Sequence, residues 1–368
     1  MIYLDHAATS PMLDEVRDAM WPWLGRPANP SSVHRAGQAA FTALERARAE
    51  VAAMAGADPS GVVFTSGATE ANHLFLRGAF TAREGRLVTS SIEHPCVSAA
   101  ADALSAAGVP VERLAVDADG VTTLRALPPD TAVLSLMAAN HETGVRQPVG
   151  GARSAADAVG AWLHVDASHA AGRVDLSAVD ADGLVFSAHK LGGPVGIGVL
   201  VLRDGGAFPP LFAGSQERGR RAGTTNVAAA VGFGVAARLA ASAMGERVSG
   251  WLTQRERLED AIRSCGGRVV GEHVPRVVTT VAAVFPGLRG DAVVQALDLT
   301  GVCVSAGAAC ASGSVEPSPT LVAMRDPQPD GIVRFSLGPA SQLTDVDELA
   351  RVLPAVIDRL RLAMTWDG

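Results

Sequence analysis

The segment GLVFSAHKLGGPVGIGVLVL, residues 183–202, contains two apolar, β-branched runs joined by a glycine-rich turn. The runs at 183–188 and 195–202 are typical of strands in a sheet that is covered on both faces. The turn carries Lys190, the one lysine among 31 basic residues. Arginine stays protonated, whereas a desolvated lysine amine can lose its proton and attack a carbonyl carbon. Lys190 is therefore a candidate nucleophile, the alternative being a surface lysine that survived an arginine-rich composition.

The same alternation continues on the N-terminal side of this segment. Further strands are predicted at 62–64, 86–90, 132–137 and 161–166, and Ala-rich stretches with helical spacing lie between them. Alternating strands and helices predict an α/β fold with a mainly parallel sheet covered by helices on both faces.

After about residue 245 the alternation loosens, and the pattern predicts a smaller α+β domain. Its expected helices lie near 248–265 and from 344 onward, and its expected strands near 268–271, 278–285 and 332–337. We therefore expect three parts. They are an N-terminal arm that packs with the small domain (1–14), a large domain (15–245) and a small C-terminal domain with the loop 305–319 (246–368).

Composition excludes several classes of function. The 368 residues carry a net charge of −7, which argues against a nucleic-acid-binding surface. The weakly polar run 227–245 contains Arg238 and many Ala and Gly residues, so it predicts a buried helix rather than a membrane span. Asp5 and His6 stand where a signal peptide would be apolar, which predicts a cytoplasmic protein. The four cysteines, at 96, 265, 303 and 310, lack metal-site spacing and are expected to be free thiols.

Polar side chains follow five of the predicted strands. In a parallel sheet, ligands bind at the carboxyl ends of the strands, so these side chains are expected to surround one pocket. In chain order they are Thr69 and Glu70, His94, Asn140 with His141 and Glu142, Asp166 with His169, and His189 with Lys190.

Three of these positions suggest specific chemistry. TSGATEAN, residues 65–72, places hydroxyls at a helix start, where free N–H groups bind an anion or a side chain caps the helix. Asp166 ends an apolar strand and needs a partner such as a protonated ring nitrogen, which is the arrangement of pyridoxal phosphate on a lysine. A metal site of His164, Asp166 and His169 is the competing interpretation. His94, before Pro95, suits a ring-stacking, acid–base or capping role.

Ten ordered segments carry a resemblance that spans almost the whole chain. They are YLDHAATSP (3–11), NPSSVHRAG (29–37), VFTSGATEAN (63–72), SIEHPCV (91–97), NHETGVRQPV (140–149), HVDASHAAG (164–172), SAHKLGGPVGIGVL (187–200), GSQERGRRAGTTN (214–226), SAGAACASGSVEPS (305–318) and VRFSLG (333–338). With these segments the chain resembles the pyridoxal-phosphate-dependent cysteine desulfurases of the class V aminotransferase superfamily. The resemblance implies the type I fold of pyridoxal-phosphate transferases, with a mainly parallel seven-stranded sheet in the large domain.

The resemblance also implies roles for individual residues. Lys190 would form the Schiff base with pyridoxal phosphate, Asp166 would hold the ring nitrogen, and His94 would stack on the ring and act in catalysis. Other cofactor contacts would come from Ala68, Thr69, Ser187 and His189 at the phosphate, and from Asn140, His141 and His169, the last two standing where relatives usually have asparagine and glutamine near the ring hydroxyl. Thr224 would reach the cofactor of a second subunit, which implies a homodimer. Arg334 and Asn29 would bind the substrate.

The activity implied is removal of sulfur from L-cysteine, which gives alanine and a persulfide on Cys310. Cys303 lies among apolar residues and predicts a core position, whereas Cys310 lies in a run of small residues that suits a loop. The persulfide would pass to a sulfur-acceptor protein, as in iron–sulfur cluster assembly or tRNA thiolation. Alternatives are a selenocysteine lyase, a cysteine sulfinate desulfinase, another class V aminotransferase or, more remotely, a non-catalytic scaffold that binds a sulfur acceptor.

Overall fold

The structure is a computed structural model that describes residues 1–203, 210–307 and 316–364. The strands of the described part are β1 Ile2–Tyr3, β2 Val62–Thr65, β3 Arg86–Ser90, β4 Val111–Leu114, β5 Thr131–Ser135, β6 Trp162–Asp166, β7 Gly183–Ser187, β8 Gly198–Leu202, β9 Arg268–Val269, β10 Thr280–Val284, β11 Val302–Cys303, β12 Ser305–Ala306 and β13 Ile332–Ser336. Its helices are α1 Asp14–Leu24, α2 Arg35–Ala55, α3 Ala68–Ala82, α4 Pro95–Ala106, α5 Val149–Val159, α6 Val227–Ser242, α7 Met244–Ser264, α8 Gly290–Asp298, α9 Pro319–Ala323 and α10 Leu343–Met364.

A seven-stranded sheet forms the larger part of the structure. Its strand order is β2-β8-β7-β6-β5-β3-β4, and β8 pairs antiparallel with both of its neighbours while the other pairs are parallel. The predicted mainly parallel α/β sheet is therefore confirmed. Of the seven strands, the hydrophobic pattern missed only β4, because this short edge strand, VERL, is mostly half-exposed and has two charged residues between its two apolar ones.

Helices cover both faces of this sheet. One apolar cluster packs α2, α5 and α6 against the sheet, with Val51, Phe186 and Phe233 among its buried residues. The cluster on the other face is built from α3 and α4. The small side chains of α6 allow close packing on α2, since a Cβ on Gly234 would lie 2.7 Å from the Cα of Ala47.

A second, four-stranded antiparallel sheet has the order β12-β13-β10-β9 and packs against α7, α8 and α10. The N-terminal arm joins this unit, because β1 pairs with β11 and Leu4 is buried in the same apolar cluster. The predicted strands near 268–271 and 278–285 are shorter than expected, at 268–269 and 280–284. The division of the chain at residues 14 and 245 stays a prediction.

The junction between α6 and α7 bends the chain by 72°. Together, the two bent helices are long and apolar enough for a membrane span, but no single helix in the described part of the chain is. Ten residues of α6 are buried inside the structure, as the sequence predicted for this Ala-rich run.

A buried ion pair anchors the segment 214–226 to the large sheet. Glu217 and Arg218 have φ values of 46° and 56°, a left-handed conformation that is uncommon outside glycine. The Glu217 carboxylate accepts hydrogen bonds from Arg48 at 2.7 Å and from the backbone N–H of Phe64 at 2.9 Å. Because both charged side chains are about 3% exposed or less, each depends on the other for neutralisation.

We predict that Glu217→Gln lowers the free energy of unfolding by about 3–5 kcal/mol, because it leaves the buried Arg48 guanidinium with only the partly exposed Glu45 as a charge partner. The matched control is Glu45→Gln, since Glu45 contacts the same guanidinium at 2.9 Å but is 32% exposed. We expect a loss below about 1 kcal/mol for this control. Urea denaturation of the three proteins measures both values, and equal losses in the two variants would show that burial of the pair is unimportant.

Candidate active site

A cavity of about 320 Å³ lies at the carboxyl ends of the large sheet's strands. The connections that follow β2, β3, β6 and β7 line it, together with a residue of β13 and the N-terminal arm. Nine of the predicted site residues meet there: Ala68, Thr69, His94, His141, Asp166, Ser187, His189, Lys190 and Arg334. The expected convergence is observed for these nine residues, whereas Glu70, Asn140, Glu142 and His169, which also follow strands, do not line the cavity.

Lys190 lies in a short 3-10 turn, Ala188–Leu191, directly after β7. The turn ends at Gly192, whose φ of 79° favours glycine, and a Cβ there would lie 2.7 Å from the side chain of Leu13. The N-terminal arm fixes the turn from outside, since the backbone N–H of Ser10 donates to the carbonyl of His189 at 2.9 Å. The backbone of the candidate nucleophile is therefore held on both sides.

Asp166 ends β6 with its carboxylate in the cavity wall. One oxygen accepts from the backbone N–H of Ser168 at 2.8 Å, and the other accepts from the Asn72 amide at 2.8 Å. Burial alone would raise the pKa of Asp166, but the neighbouring His94 imidazole and these two hydrogen bonds outweigh burial and lower the pKa. The carboxylate is therefore ionised and is suited to bind a protonated ring nitrogen.

His94 caps the N-terminus of α4, and its ring faces the cavity. Its Nδ1 accepts the backbone N–H of Cys96 at 3.2 Å, which leaves the proton of the neutral ring on Nε2. Burial lowers the pKa of His94, and Lys190 adds to this effect although Asp166 opposes it. The ring also meets His141 edge to face, with 5.0 Å between the ring centroids.

The start of α3, which lines the cavity, is suited to bind an anion. Helix α3 begins at Ala68, so the first N–H groups of a 15-residue helix point toward the cavity. Gly198 allows β8 to approach this helix start, since a Cβ there would lie 2.7 Å from the nitrogen of Ala68. The Ser187 hydroxyl is buried beside it and has no hydrogen-bond partner among the described residues.

Arg334 projects from β13 into the cavity and is 3% exposed. Its guanidinium contacts the Asp5 carboxylate at 2.9 Å and donates to the carbonyl of His141 at 2.9 Å. The Nε of Arg334 is buried and finds no hydrogen-bond partner in the described ranges. The forked cation is thus oriented by the N-terminal arm and retains a donor for a carboxylate.

Two further imidazoles lie beside this cation. His141 lines the cavity, whereas His169 lies just outside it and contacts the Thr280 hydroxyl at 3.0 Å. Burial is the main cause that holds the pKa of each ring well below its ordinary value, so both are neutral. Within the part of the chain that is described, neither Nδ1 atom has a hydrogen-bond partner.

Asn140 differs from the prediction that it contacts a cofactor, because its amide serves the loop that follows β5. The side-chain oxygen accepts the backbone N–H groups of Glu142 and Thr143 at 3.0 and 2.9 Å. The amide nitrogen donates to the Ile92 carbonyl and to the Thr320 hydroxyl. Asn140 is fully buried and does not line the cavity, so its role is to hold the loop that presents His141.

Asn29 and Thr224 lie apart from Lys190. Both line a second cavity, of about 330 Å³, together with Arg48 and Glu217. One chain alone therefore does not bring these two predicted contacts to the first cavity. Cys310 lies outside the described residues.

The metal interpretation fails for His164. Its Nδ1 pairs with the Ser135 hydroxyl at 2.8 Å and its Nε2 with the Asn72 carbonyl oxygen at 3.0 Å, so neither nitrogen is available to a metal. Across residues 1–203, 210–307 and 316–364, His, Cys, Asp and Glu side chains form no group of three that could hold a metal ion.

The sequence analysis missed several residues of the site. Cys96, Ser168, Ala7 and Ala8 also line the cavity. Cys96 stands two residues after His94 on the first turn of α4, a signal that was available in the sequence. Asn72 supports Asp166, and its position four residues after Ala68 puts both on one face of α3.

The donors around the cavity fit pyridoxal phosphate. The buried, unpartnered atoms of the described part include the hydroxyls of Ser168 and Ser187 and nitrogens of His141 and Arg334. Such orphaned groups are costly unless a ligand satisfies them. A flat ring would have the Asp166 carboxylate at its nitrogen, a helix N-terminus for its phosphate and Lys190 for its aldehyde.

We predict that acid destabilises the protein between about pH 6.5 and pH 4, partly through histidines that the fold keeps neutral. Seven histidines have lowered pKa values, with burial as the largest cause: His6, His73, His94, His141, His164, His169 and His189. The unfolded chain binds these protons near pH 6.5 and the folded chain does not, so this stability is present above that pH and is lost below it. The raised pKa values of Glu93 and Glu142 act in the opposite sense.

One variant measures the contribution of His6 to this loss of stability. Burial lowers the pKa of His6 to about 4, so His6→Gln should reduce the loss between pH 7 and pH 4 by up to about 3 kcal/mol. His273→Gln is the control, because that side chain is 79% exposed. Unfolding free energies at both pH values test this, and parallel pH curves for parent and His6→Gln would contradict it.

Comparisons with known proteins agree with this geometry. The family profile described as Aminotransferase class-V matches residues 2–349. A cysteine desulfurase of Cereibacter sphaeroides is 42% identical, covering 98% of this chain and 96% of the relative, and one of Klebsiella pneumoniae is 39% identical, covering 100% and 96%. A solved structure described as a NifS-like protein has a TM-score of 0.90 at 31% identity, covering 98% of this chain and 100% of that one. One described as SspA in complex with cysteine has a TM-score of 0.81 at 31% identity, covering 92% and 99%. The predicted resemblance and fold class are thus confirmed, and the chain belongs to the class V aminotransferase family, with the type I fold of pyridoxal-phosphate enzymes.

Proposed function

We propose that this protein is a cysteine desulfurase that uses pyridoxal phosphate to move sulfur from L-cysteine to Cys310. The observation that carries the proposal is the meeting of Lys190, Asp166, His94 and Arg334 in one cavity. Full-length relatives named cysteine desulfurase support it, as does a neighbour whose structure was described in complex with cysteine.

When bound, pyridoxal phosphate supplies an aldehyde that condenses with amines and a ring that withdraws electrons from the substrate Cα. Asp166 keeps a proton on the ring nitrogen, since it is ionised at the cavity wall. The start of α3 and the Ser187 hydroxyl would bind the phosphate. His94, which lines the cavity, would stack on the ring.

Lys190 has two tasks in this proposal. Its amine would hold the cofactor through the aldehyde carbon. With an amino acid bound there in its place, the free Lys190 amine would be the base that takes the Cα proton and later returns a proton. The short turn after β7 keeps the backbone of Lys190 fixed during both tasks.

Arg334 binds the substrate carboxylate with its forked guanidinium. Its ion pair with Asp5 fixes the direction of the fork, at 2.9 Å between the atoms. The neutral imidazoles of His141 and His169 leave the cation's charge available to the substrate.

Cys310 accepts the sulfur. Its thiolate attacks the sulfur of the bound cysteine, so that an S–S bond forms while the substrate's Cβ–S bond breaks. The Cβ–S electron pair stays with the carbon, which takes up a proton and leaves as part of alanine. The Cβ carbon is reduced and the transferred sulfur is oxidised, so no external oxidant is needed. The product is a Cys310 persulfide, which we propose to pass to a sulfur-acceptor protein.

We further propose a homodimer in which Thr224 reaches the partner subunit's cofactor. Thr224 and Asn29 share the second cavity, away from Lys190 of their own chain, and the Arg48–Glu217 ion pair fixes that segment. Asn29 would then contact substrate only across the dimer. The unpaired cysteines Cys96, Cys265 and Cys303 favour a reducing compartment such as the cytoplasm.

We predict that Lys190→Ala protein lacks the visible absorbance of a cofactor bound through a lysine. Lys190→Arg should lack it as well, because arginine keeps the charge but cannot condense with an aldehyde. Absorbance spectra of the purified proteins after addition of pyridoxal phosphate measure this. Retention of the lysine-type spectrum in either variant would refute the assignment of Lys190.

We predict that Cys310→Ser abolishes sulfide release from L-cysteine in the presence of a thiol reductant, while its visible spectrum equals that of the parent. Cys265→Ser is the control, since Cys265 lies in the apolar cluster of the smaller sheet. Alanine is measured with cysteine, selenocysteine and cysteine sulfinate as substrates, and sulfide is measured with cysteine. Parent-level sulfide release by Cys310→Ser would refute the persulfide step, and preference for another substrate would indicate a different lyase.

A further inference from the structure

A chain of buried hydrogen bonds runs behind Asp166 and away from the cavity. It begins at the Ser135 hydroxyl at the end of β5 and passes through the His164 ring of β6 and the Asn72 amide of α3. It ends at the carboxylate of Asp166. The three links measure 2.8, 3.0 and 2.8 Å, and Ser135, His164 and Asn72 have no exposed surface.

The chemistry of the four groups fixes the direction of every proton. An ionised carboxylate only accepts, so the amide nitrogen of Asn72 must face Asp166 and its oxygen must face His164. That oxygen also only accepts, so His164 carries its proton on Nε2. Burial lowers the pKa of His164 to about 4, which leaves the ring neutral and its Nδ1 free to accept the Ser135 hydroxyl. Each group thereby determines the orientation of the next.

Asn72 is also connected to His94, through the sulfur of Cys96. Its amide nitrogen lies 3.3 Å from the sulfur of Cys96, and that sulfur lies 3.0 Å from Nδ1 of His94. One amide therefore connects the carboxylate at the ring nitrogen with the histidine at the ring face. Both N–H groups of the Asn72 amide and one lone pair of its oxygen therefore have partners.

We propose that Asn72, oriented by His164 and Ser135, is a positioning residue that keeps the Asp166 carboxylate ionised and aimed at the ring nitrogen. The inference rests on the proposed function, because it gives Asp166 the task of holding a protonated cofactor nitrogen. A flipped amide would place its oxygen against the carboxylate, and the His164 donor prevents this flip.

Alternative orientations of Asp166 are limited by its other neighbours. The backbone N–H of Ser168 holds one oxygen, so the bond from Asn72 decides the rotation of the other. The titratable groups around Asp166 come from the β3–α4 connection, β6 and the turn after β7: Glu93, His94, Cys96, His164 and Lys190. Of these, the neutral His164 acts on Asp166 through Asn72.

The test compares Asn72→Leu and His164→Phe with the parent protein. Leucine has a similar length to asparagine but no donors, and phenylalanine can still stack on Phe75, whose ring lies 5.1 Å from that of His164. We expect the dissociation constant for pyridoxal phosphate to rise about tenfold in Asn72→Leu, because a hydrogen bond to a charged group is lost. The rise in His164→Phe should be smaller, and the double variant should resemble Asn72→Leu.

A second readout separates positioning from folding. The pH midpoint of the visible absorbance of the holoenzyme should move upward in both variants, in the same direction as in Asp166→Asn. The reason is that a ring nitrogen without its proton no longer disfavours protonation of the Lys190 nitrogen. A variant that only loosens the fold would lower the melting temperature without moving this midpoint.

Gln147→Ala provides the matched control. Gln147 is also a buried amide with several hydrogen bonds, to Thr122 and to the carbonyls of Gly120 and Val145, and none reaches the cavity. We expect it to lower the melting temperature but to leave cofactor affinity and pH midpoint unchanged. If Asn72→Leu does the same, the inference is overturned. Should Asn72→Leu fail to fold, His164→Phe decides by the same two measurements. A parent protein that binds no pyridoxal phosphate would instead overturn the proposed function.

Discussion

The Asp166 carboxylate is ionised although only 6% of the residue is exposed, and much of the site follows from the need to keep it so. Two hydrogen bonds and the neighbouring His94 imidazole outweigh the cost of burying the charge. The bond from Ser168 comes from the turn after β6 itself, whereas the bond from Asn72 comes from α3. Helix α3, whose N-terminus lines the cavity, therefore also stabilises the Asp166 carboxylate through Asn72. A shift of α3 would disturb both parts of the cavity wall together.

The charges of the remaining site are arranged around neutral imidazoles. Burial keeps His94, His141 and His169 uncharged, so the cations that face the cavity are Lys190 and Arg334. Protonation of His141 or His169 beside Arg334 would place like charges together in a site with little water. The imidazoles of His141 and His169 thus add polar nitrogens near Arg334 without adding charge, and they leave the balance between Asp166 and the cations unchanged.

The sequence predicted correctly which residues lie in the cavity where the direction of the strands determines their position. It predicted less well where hydrogen-bond partners determine the orientation of a side chain. The ends of parallel strands must meet at one edge of the sheet, so His94, Asp166 and Lys190 could be placed together from hydrophobic runs alone. Asn140 follows a strand in the same way, yet its amide is used by its own loop, and a linear pattern does not show which of two adjacent polar residues faces inward. Asn72 was not predicted because a polar residue inside a helix is usually a surface residue. Its role becomes visible only when the strand packed against the helix is known to end in a carboxylate.

The N-terminal arm connects features that the chain order separates. Leu4 is buried with the smaller sheet, Asp5 holds Arg334, and Ser10 bonds to the turn that carries Lys190. Arg334 belongs to one sheet and Lys190 to the other, so their separation depends on how the two sheets are joined. The first ten residues, which include a turn at 6–8, reach both groups, and each contact is made by backbone or by a short side chain with little freedom. The arm therefore helps to hold Arg334 and Lys190 relative to each other. In the proposed function Arg334 would bind the carboxylate and Lys190 would take the Cα proton, so their separation would have to match a single α-amino acid, and this apparently peripheral segment would belong to the site.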